Sequence, residues 1–374
     1  MGMDDAASTW MESYLTGRKQ SCFIDGSLSA PLDLPPCSVP QRSIGGPLLW
    51  LCYTCDQPDA VHEHEVGQDL SRDCNVQSDA EPIAGGPGDC GELVGYVDDG
   101  AYSYAHASPE ILSEVLTRKF KLLEDWVNSN KLVINAEKTH LIVMGPKKVE
   151  NRRKEVSIKA GQFTIKPTES EKLLGGYLHQ SMQWNLHIRD HSKSLVKQIT
   201  TRINGLKKIA KTATFKTRLM VANGAVMSKL IYMITVWGGA QQYLLNTLQV
   251  QQLSAARTVC GFHSQRWSKK KLLDRVGWLS IRQLIKFHTI YQAHKTICSG
   301  KPAALYESIS TEHPYRTRNA TNNRIRGDSS LQVASFRYRA VHWYNQVPPD
   351  IFRGSLPTVK QKLWKWTYNT VPID

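Results

Sequence analysis

Apolar residues along the chain recur with two different periods. Behind Pro109, the residues Leu112, Val115, Leu116, Leu123 and Trp126 follow at spacings of three, four and seven. That spacing puts them on one face and predicts an amphipathic helix that starts at the proline and ends near "NSNK". On either side of it the period shortens. "LVGYVDDGAYS" (93–103) sets apolar runs on both flanks of Asp98, Asp99 and Gly100, and "LVIN" and "HLIVMG" read as short strands around the turn "AEK". "VSIKAGQFTIKP" alternates like a two-stranded hairpin, and "KLLGGYLHQSMQW" adds a further sheet segment. From residue 186 onward, segments 186–211, 215–237, 242–260 and 279–298 carry Leu, Ile and Val at helical spacing with Lys and Arg on the other faces. The stretch 301–374 reads as a smaller, less regular helical region. Upstream, "STWMESYLTGRKQSCFIDGSL" reads as the end of a helix entering an extended segment at "CFI". "SVPQRSIGGPLLWLCYTCD" reads as a Gly/Pro-punctuated loop that becomes a buried helix. The fold class expected is α+β, in five stretches: 1–56, 57–92, 93–185, 186–300 and 301–374.

Composition sharpens two of these boundaries. Residues 57–92 are acidic and poor in apolar side chains, so they are expected to form a mobile loop rather than part of a core. The net charge of +14 is unevenly spread: residues 1–100 hold 4 Lys/Arg against 17 Asp/Glu, and residues 101–374 hold 43 against 16. Such a basic excess is the electrostatic footprint of a phosphate-backbone partner, or else a solvated cationic face with no ligand. Aromatic residues recur among these charges (Trp184, Tyr232, Trp237, Trp267, Trp278, Trp343, Trp364, Trp366), most simply as core anchors. The longest apolar runs, "GPLLWLCY" and "LIYMITVW", fall short of the roughly 18 residues of a membrane span. With no secretory signal at its start, the chain is expected to be intracellular and to make no membrane contact. Its eight cysteines are then expected as reduced thiols.

Two groups of residues carry candidate chemistry. Asp98 and Asp99 read either as plain turn formers or as paired carboxylates on a rigid turn, an arrangement suited to hard divalent cations. Cys52 and Cys55, with His62, His64 and Cys74 nearby, are ligand types that zinc prefers, although no second CxxC follows at finger spacing.

The order "SVPQRSIGGPLL", "GYVDDG", "LVINAEKTHLIVMG", "KLLGGYLHQSMQWNLHI" resembles motifs B, C, D and E of a reverse transcriptase palm, and is similar to those of non-long-terminal-repeat retrotransposons. "WMESYLTGRKQSCFIDGSLS" resembles the segment ahead of motif B, and "LQVQQLSAARTV" with "GWLSIRQL" the helical region after the palm. The resemblance implies a partial polymerase palm of antiparallel sheet and helices, then an α-helical thumb and a C-terminal helical extension. It implies two-metal nucleotidyl transfer with Mg2+ or Mn2+, an RNA template, a DNA primer and deoxynucleoside triphosphates. By the same resemblance Asp98 and Asp99 are metal ligands, and Tyr96 and Val97 flank the primer end. Pro40, Gln41, Arg42 and Gly45 belong to the loop facing template and nucleotide, and Leu174, Gly175, Gly176, Tyr177 and Leu178 grip the primer. Lys138 stands where a cation steadies the leaving pyrophosphate, or else is an exposed strand-end lysine. Two departures stand out. The family prefers glycine after the glutamine, where this chain has Arg42, and its upstream motif A aspartate has no counterpart, since Asp4 and Asp5 lack the surrounding strand. The chain therefore reads as an N-terminally truncated copy, expected to be catalytically incompetent alone; a basic nucleic-acid-binding remnant is the rival reading.

The charge distribution generates the first prediction. Affinity of the purified chain for RNA, measured by fluorescence anisotropy, falls steeply as salt rises, with a log–log slope of about −0.7 per phosphate contacted on a single strand, and shows little sequence preference. An affinity indifferent to salt would contradict it.

Overall fold

The computed structural model describes residues 4–34, 50, 52–57, 91–145, 150–161, 163–261, 264, 266–309 and 334–373. They belong to two compact units, residues 1–139 with 155–165 and residues 140–154 with 166–374.

In the first unit, helix α1 (Asp5–Leu15) precedes a nested hairpin. There β1 (Lys19–Gln20) pairs antiparallel with β4 (Leu32–Asp33), and β2 (Phe23–Ile24) with β3 (Ser27–Leu28). The extended segment expected at "CFI" is one arm of this hairpin. Its turn is Asp25–Gly26, both at positive φ (49° and 82°), as a two-residue type I′ turn requires. A second hairpin joins β5 (Glu92–Tyr96) to β6 (Asp99–Ser103). Helix α2 (Pro109–Ser129) forms where the apolar spacing expects it, with Pro109 in the first turn and Ser108 Oγ accepting the Ile111 N–H at 3.3 Å. A third hairpin, β7 (Ile158–Ala160) with β8 (Phe163–Ile165), packs on α2. The Ser157 N–H donates to Ser113 Oγ at 3.1 Å and the Lys159 N–H to Thr117 Oγ1 at 3.2 Å. Those two hydroxyls sit one turn apart on α2 and satisfy an edge that would otherwise be open.

"LVIN" and "HLIVMG" are not the strands expected of them. At the start of "LVIN" the Leu132 N–H bonds back to Val127 O at 2.9 Å, and the Lys138 N–H closes the intervening "AEK" turn on Asn135 O at 3.1 Å. Leu141 makes one isolated parallel bridge, to Pro167. Among the described residues the strands pair only two by two. The molecule is thus mixed helix and small antiparallel sheet, and the continuous sheet expected of a palm is not assembled from these residues. Residues 58–90, nearly all of the expected acidic loop, lie outside the described residues.

The second unit opens with a hairpin of β9 (Ser170–Leu173) and β10 (Gly176–His179), then a π-helical turn over Leu186–Asp190. Helix α3 (Leu195–Ile209) follows. The single helix expected over 215–237 is interrupted: α4 (Phe215–Ala222) gives way to a π turn (Asn223–Met227), then α5 (Ser228–Ile231) and α6 (Ile234–Trp237). Between α5 and α6, Met233 stands in the left-handed region at φ +55°. Helices α7 (Gln242–Cys260) and α9 (Ile281–Ser299) match their expected spans, and α8 (Lys269–Val276) lies between them. The chain continues through α10 (Ala303–Ser308), α11 (Phe336–Tyr344) and α12 (Leu356–Thr370). One buried cluster runs from Ile188 to Leu363 and includes Trp237, Leu244, Leu248, Leu272 and Ile290, so residues 186–300 and the region after them share a core. Among the described residues, no helix is long and apolar enough to cross a membrane.

Buried glutamines fix how these helices meet. Gln252, fully buried on α7, donates to Leu279 O at 2.8 Å, while Gln249 Oε1 accepts the Ile281 N–H at 2.9 Å. Ser280 and Gln283 form a capping box at the start of α9. The Gln283 amide reaches further, donating to Val371 O at 2.8 Å and Tyr368 O at 3.3 Å, carbonyls at the end of α12. One side chain thereby caps two helices.

Two outcomes follow from this packing. Gln283→Ala leaves the Ser280 N–H and the α12 carbonyls without partners, and is expected to lower unfolding stability by about 2–4 kcal/mol in urea titrations, since a buried unsatisfied group costs ~1–3 kcal/mol. Burial holds His187 and His288 at about 4, below the ordinary 6.5, with Lys360 adding to the shift of His288. The unfolded chain therefore binds protons that these folded side chains refuse. Their contribution is complete above pH 6.5 and is lost as pH falls toward 4. The urea midpoint is expected to drop across that window, and a His187→Gln, His288→Gln double variant to flatten the drop.

Candidate functional site

The first candidate site is the β5–β6 hairpin. Its register pairs Tyr96 with Asp99, Gly95 with Gly100 and Val94 with Ala101, so the connecting loop is Val97–Asp98. The turn lies two residues earlier than the Asp99–Gly100 pair suggests: Asp98 sits in the loop and Asp99 begins β6. Val97 has φ +57°, unusual for a β-branched residue and costly by ~1–3 kcal/mol. A tertiary contact holds it there, because the Trp50 indole N–H donates to Val97 O at 2.5 Å. Tyr53, tilted against Trp50, donates in turn to Asn130 O at the end of α2. Trp50 was the residue that motif reading overlooked; its signal is the apolar run "GPLLWLCY", which delivers an aromatic donor to the turn.

Asp98 and Asp99 are both exposed, and among the described residues neither has an ion-pair partner. Opposite one another next to the tip, Gly95 and Gly100 leave one face of the hairpin bare, with open space where each Cβ would stand. Backbone or phosphate can approach such a face closely. Tyr96 and Val97 are 63% and 58% exposed, so the tip presents two carboxylates with apolar surface beside them. Two adjacent oxygen donors with no competing cation suit Mg2+ or Mn2+, which is usually held by one or two carboxylates and completed by water and substrate phosphates. Among the described residues no further His, Cys, Asp or Glu joins them in a metal-holding group.

The remaining candidates are dispersed. Lys138 is exposed at the end of a 3-10 turn (Ala136–Lys138), its N–H held by Asn135 Oδ1 at 3.2 Å, and no ion pair links it to Asp98 or Asp99. Pro40, Gln41, Arg42 and Gly45 lie outside the described residues, as do His62, His64 and Cys74. Cys52 is half-buried and Cys55 exposed, so the buried helix expected to carry them is not what these positions show.

Leu174 to Leu178 belong to the second unit, where Leu174 and Gly175 form the β9–β10 turn with φ +47° and +87°. Both central residues at positive φ make this a type I′ turn, which Gly175 suits and Leu174 resists. The Tyr232 hydroxyl donates to Leu174 O at 2.5 Å, and its ring lies 3.5 Å from where a Gly175 Cβ would be. A Cβ on Gly176 would stand 2.6 Å from Met233 Cε. The break between α5 and α6 is thus the seat of the hairpin tip. Next along β10, Tyr177 packs tilted against His191 with ring centres 4.1 Å apart, and its N–H donates to Nδ1 of buried His187 at 3.4 Å.

An exposed carboxylate pair on a strained turn and a strongly basic helical unit are chemistry for cation-bound phosphate and for polyanions. Comparison with known proteins gives this a more particular direction. The chain is 23% identical over 253 residues to the RNA-directed DNA polymerase from mobile element jockey of Drosophila funebris, a match covering 67% of this chain and 25% of that protein. The similarity supports a distant relationship to retrotransposon reverse transcriptases, with the chain matching about a quarter of the relative's length. No family model and no solved structure matches the chain.

Proposed function

We propose that the chain is part of an RNA-directed DNA polymerase of the non-long-terminal-repeat retrotransposon type, with residues 93–185 as palm elements and the helical residues after 186 as thumb and extension. The observation that carries the reading is the hairpin: adjacent exposed carboxylates, one in the two-residue turn and one opening β6, pinned through Val97 O, beside a face left bare by Gly95 and Gly100. Asp98 and Asp99 would hold Mg2+ or Mn2+, which when bound would supply positive charge opposite the triphosphate. Tyr96 and Val97 lie against the primer end. Lys138 supplies a cation for the pyrophosphate, and the turn at Leu174–Gly175 with Gly176, Tyr177 and Leu178 grips the primer backbone. Pro40, Gln41, Arg42 and Gly45 form the template and nucleotide loop. RNA template, DNA primer and deoxynucleoside triphosphates are the partners.

A second reading, a nucleic-acid binder without catalysis, is favoured by the absence of a third metal-holding side chain among the described residues. Two metals need more carboxylate than Asp98 and Asp99 offer, and each 1.36 kcal/mol of lost transition-state stabilisation is about tenfold in rate. The two readings share their nucleic acid and part over chemistry.

The purified chain, given Mg2+ or Mn2+, a primed RNA template and nucleotides, is expected to extend the primer no faster than its Asp98→Ala, Asp99→Ala variant. On the primed template, Mn2+ retention measured by electron paramagnetic resonance is expected to be higher for the native chain than for the double variant. Equal retention would remove the metal role from the hairpin; extension abolished by the double substitution would show that another carboxylate completes the site.

A further inference from the structure

A groove of about 580 Å³ opens in the helical unit between α5, the loop before α9, α9 itself and α12, in the size range of pockets that hold small organic groups. Its walls are mostly apolar and aromatic, with Trp278, Phe287 and Trp364 among the lining residues, while Lys360 and Lys365 supply the cationic groups and His288 an uncharged imidazole. Trp278 is anchored by its indole N–H, which donates to Asn223 Oδ1 at 2.8 Å, and Trp364 is stacked on Tyr368 with rings 5.6 Å apart and nearly parallel. No Asp or Glu lines the groove, and neither Lys360 nor Lys365 has a carboxylate partner among the described residues. Lys360 does stand over the Tyr291 ring at 5.8 Å, a contact that leaves its charge uncompensated by any carboxylate.

We propose that this groove takes a base of single-stranded nucleic acid, stacked against the Trp364 side, with the flanking phosphates on Lys360 and Lys365. Charge decides the occupant. An aromatic cleft with a cationic rim and no acidic group matches a ligand that is flat and apolar at its centre and anionic at its edges, which describes an unpaired nucleotide in a strand. Duplex suits it poorly, since paired bases keep their faces stacked and turn only phosphates outward. The same basic excess that steers polyanions to residues 101–374 would deliver the strand. The inference rests on the reading of the chain as a nucleic-acid binder and adds to it a site in the helical unit.

The test uses the full chain and a fluorescein-labelled oligouridine of about 12 nucleotides, intact or carrying an abasic position at its centre. Stacking is worth ~1–3 kcal/mol per base, so the abasic strand is expected to bind the native chain at least about fivefold more weakly. Lys360→Gln with Lys365→Gln keeps the apolar floor and removes two charges. It is expected to weaken intact-strand binding, to reduce the salt slope by about 1.4, and to bring the two strands closer in affinity. The control, Lys207→Gln with Lys208→Gln on exposed positions of α3, removes the same charge and should leave the preference for the intact strand unchanged. A 4-thiouridine probe should crosslink to the peptide holding Trp364, which does not depend on any variant folding. Equal binding of abasic and intact strands, the same effect from both lysine pairs, or displacement of the strand from this groove by an acidic amphipathic peptide would overturn the groove assignment while leaving nucleic-acid binding intact. Failure of the native chain to bind any strand would overturn the functional reading, and this inference with it.

Discussion

A buried amide is costly unless every polar atom on it finds a partner, and the helical unit is organised around meeting that condition at the start of α9. Gln249 and Gln252 come from α7, and Gln283 from the first turn of α9, and all three bond to backbone rather than to one another alone. Backbone partners impose register: sliding α7 by one residue would take Gln252 away from Leu279 O and strand both groups in the core. Hydrophobic contact among Leu244, Leu248, Leu272 and Ile290 tolerates small slides, whereas these bonds do not. Through Gln283 the constraint extends to the last helix, where Tyr368 also donates to Asp274 Oδ1 at 2.7 Å. The residues after 300 are therefore bound into the unit at its polar centre, and the groove beside Trp364 has walls whose relative placement is set by the same bonds.

Backbone strain is placed with similar economy. Val97, Leu174 and Met233 occupy positive φ without being glycine. Val97 is reached by the Trp50 indole, Leu174 by the Tyr232 hydroxyl, and Met233 is the residue after that tyrosine. Strain of this kind persists only where surroundings over-determine it, and the observed outliers then become pointers to function. Of the six non-glycine residues at positive φ among the described residues, which also include Asp25, Lys131 and Met182, two are the tips of the hairpins that the motif order nominates for metal and primer. Met233 is the helix break on which the second tip rests.

How much of this could be read in the chain depends on whether the deciding interaction was local. Helix α2 was legible because Ser108, Pro109 and an apolar stripe all sit within its own span, and α7 and α9 because their periodicity is long. The Asp-Gly turn signal gives opposite lessons at its two occurrences. At Asp25–Gly26 nothing overrides it and it forms the turn, in a hairpin whose apolar residues Phe23, Ile24 and Leu28 are all exposed. At Asp99–Gly100 the register Gly95↔Gly100 and the bond to Val97 O place the turn two residues back, at Val97–Asp98. No propensity favours valine at positive φ, so that shift was invisible without the tertiary contact. The same holds for "LIYMITVW": apolar on every side, it reads as uninterrupted helix, and the break at Met233 comes with a hairpin tip nearly sixty residues earlier. "LVIN" and "HLIVMG" have strand-like composition, but composition cannot supply the neighbouring edge that would make them strands.

Charge adds a constraint that packing alone does not answer. Lys197, Lys207, Lys208, Lys211, Lys216, Lys360 and Lys365 have no carboxylate partner among the described residues. Uncompensated like charge opposes compaction, so the unit holds its fold against its own repulsion through the apolar cluster and the glutamine bonds. A polyanion bound to that surface would relieve the repulsion while releasing its own condensed counterions, so binding and folding of the helical unit favour each other by linkage. The carboxylate hairpin obeys the opposite logic. Asp98 and Asp99 repel one another at an exposed tip, and a divalent cation bridging them to phosphate would remove that repulsion and connect acidic protein to acidic nucleic acid. Under the proposed function the two charge patterns would meet nucleic acid by different routes, the basic helical residues by direct attraction and the carboxylate pair through a metal.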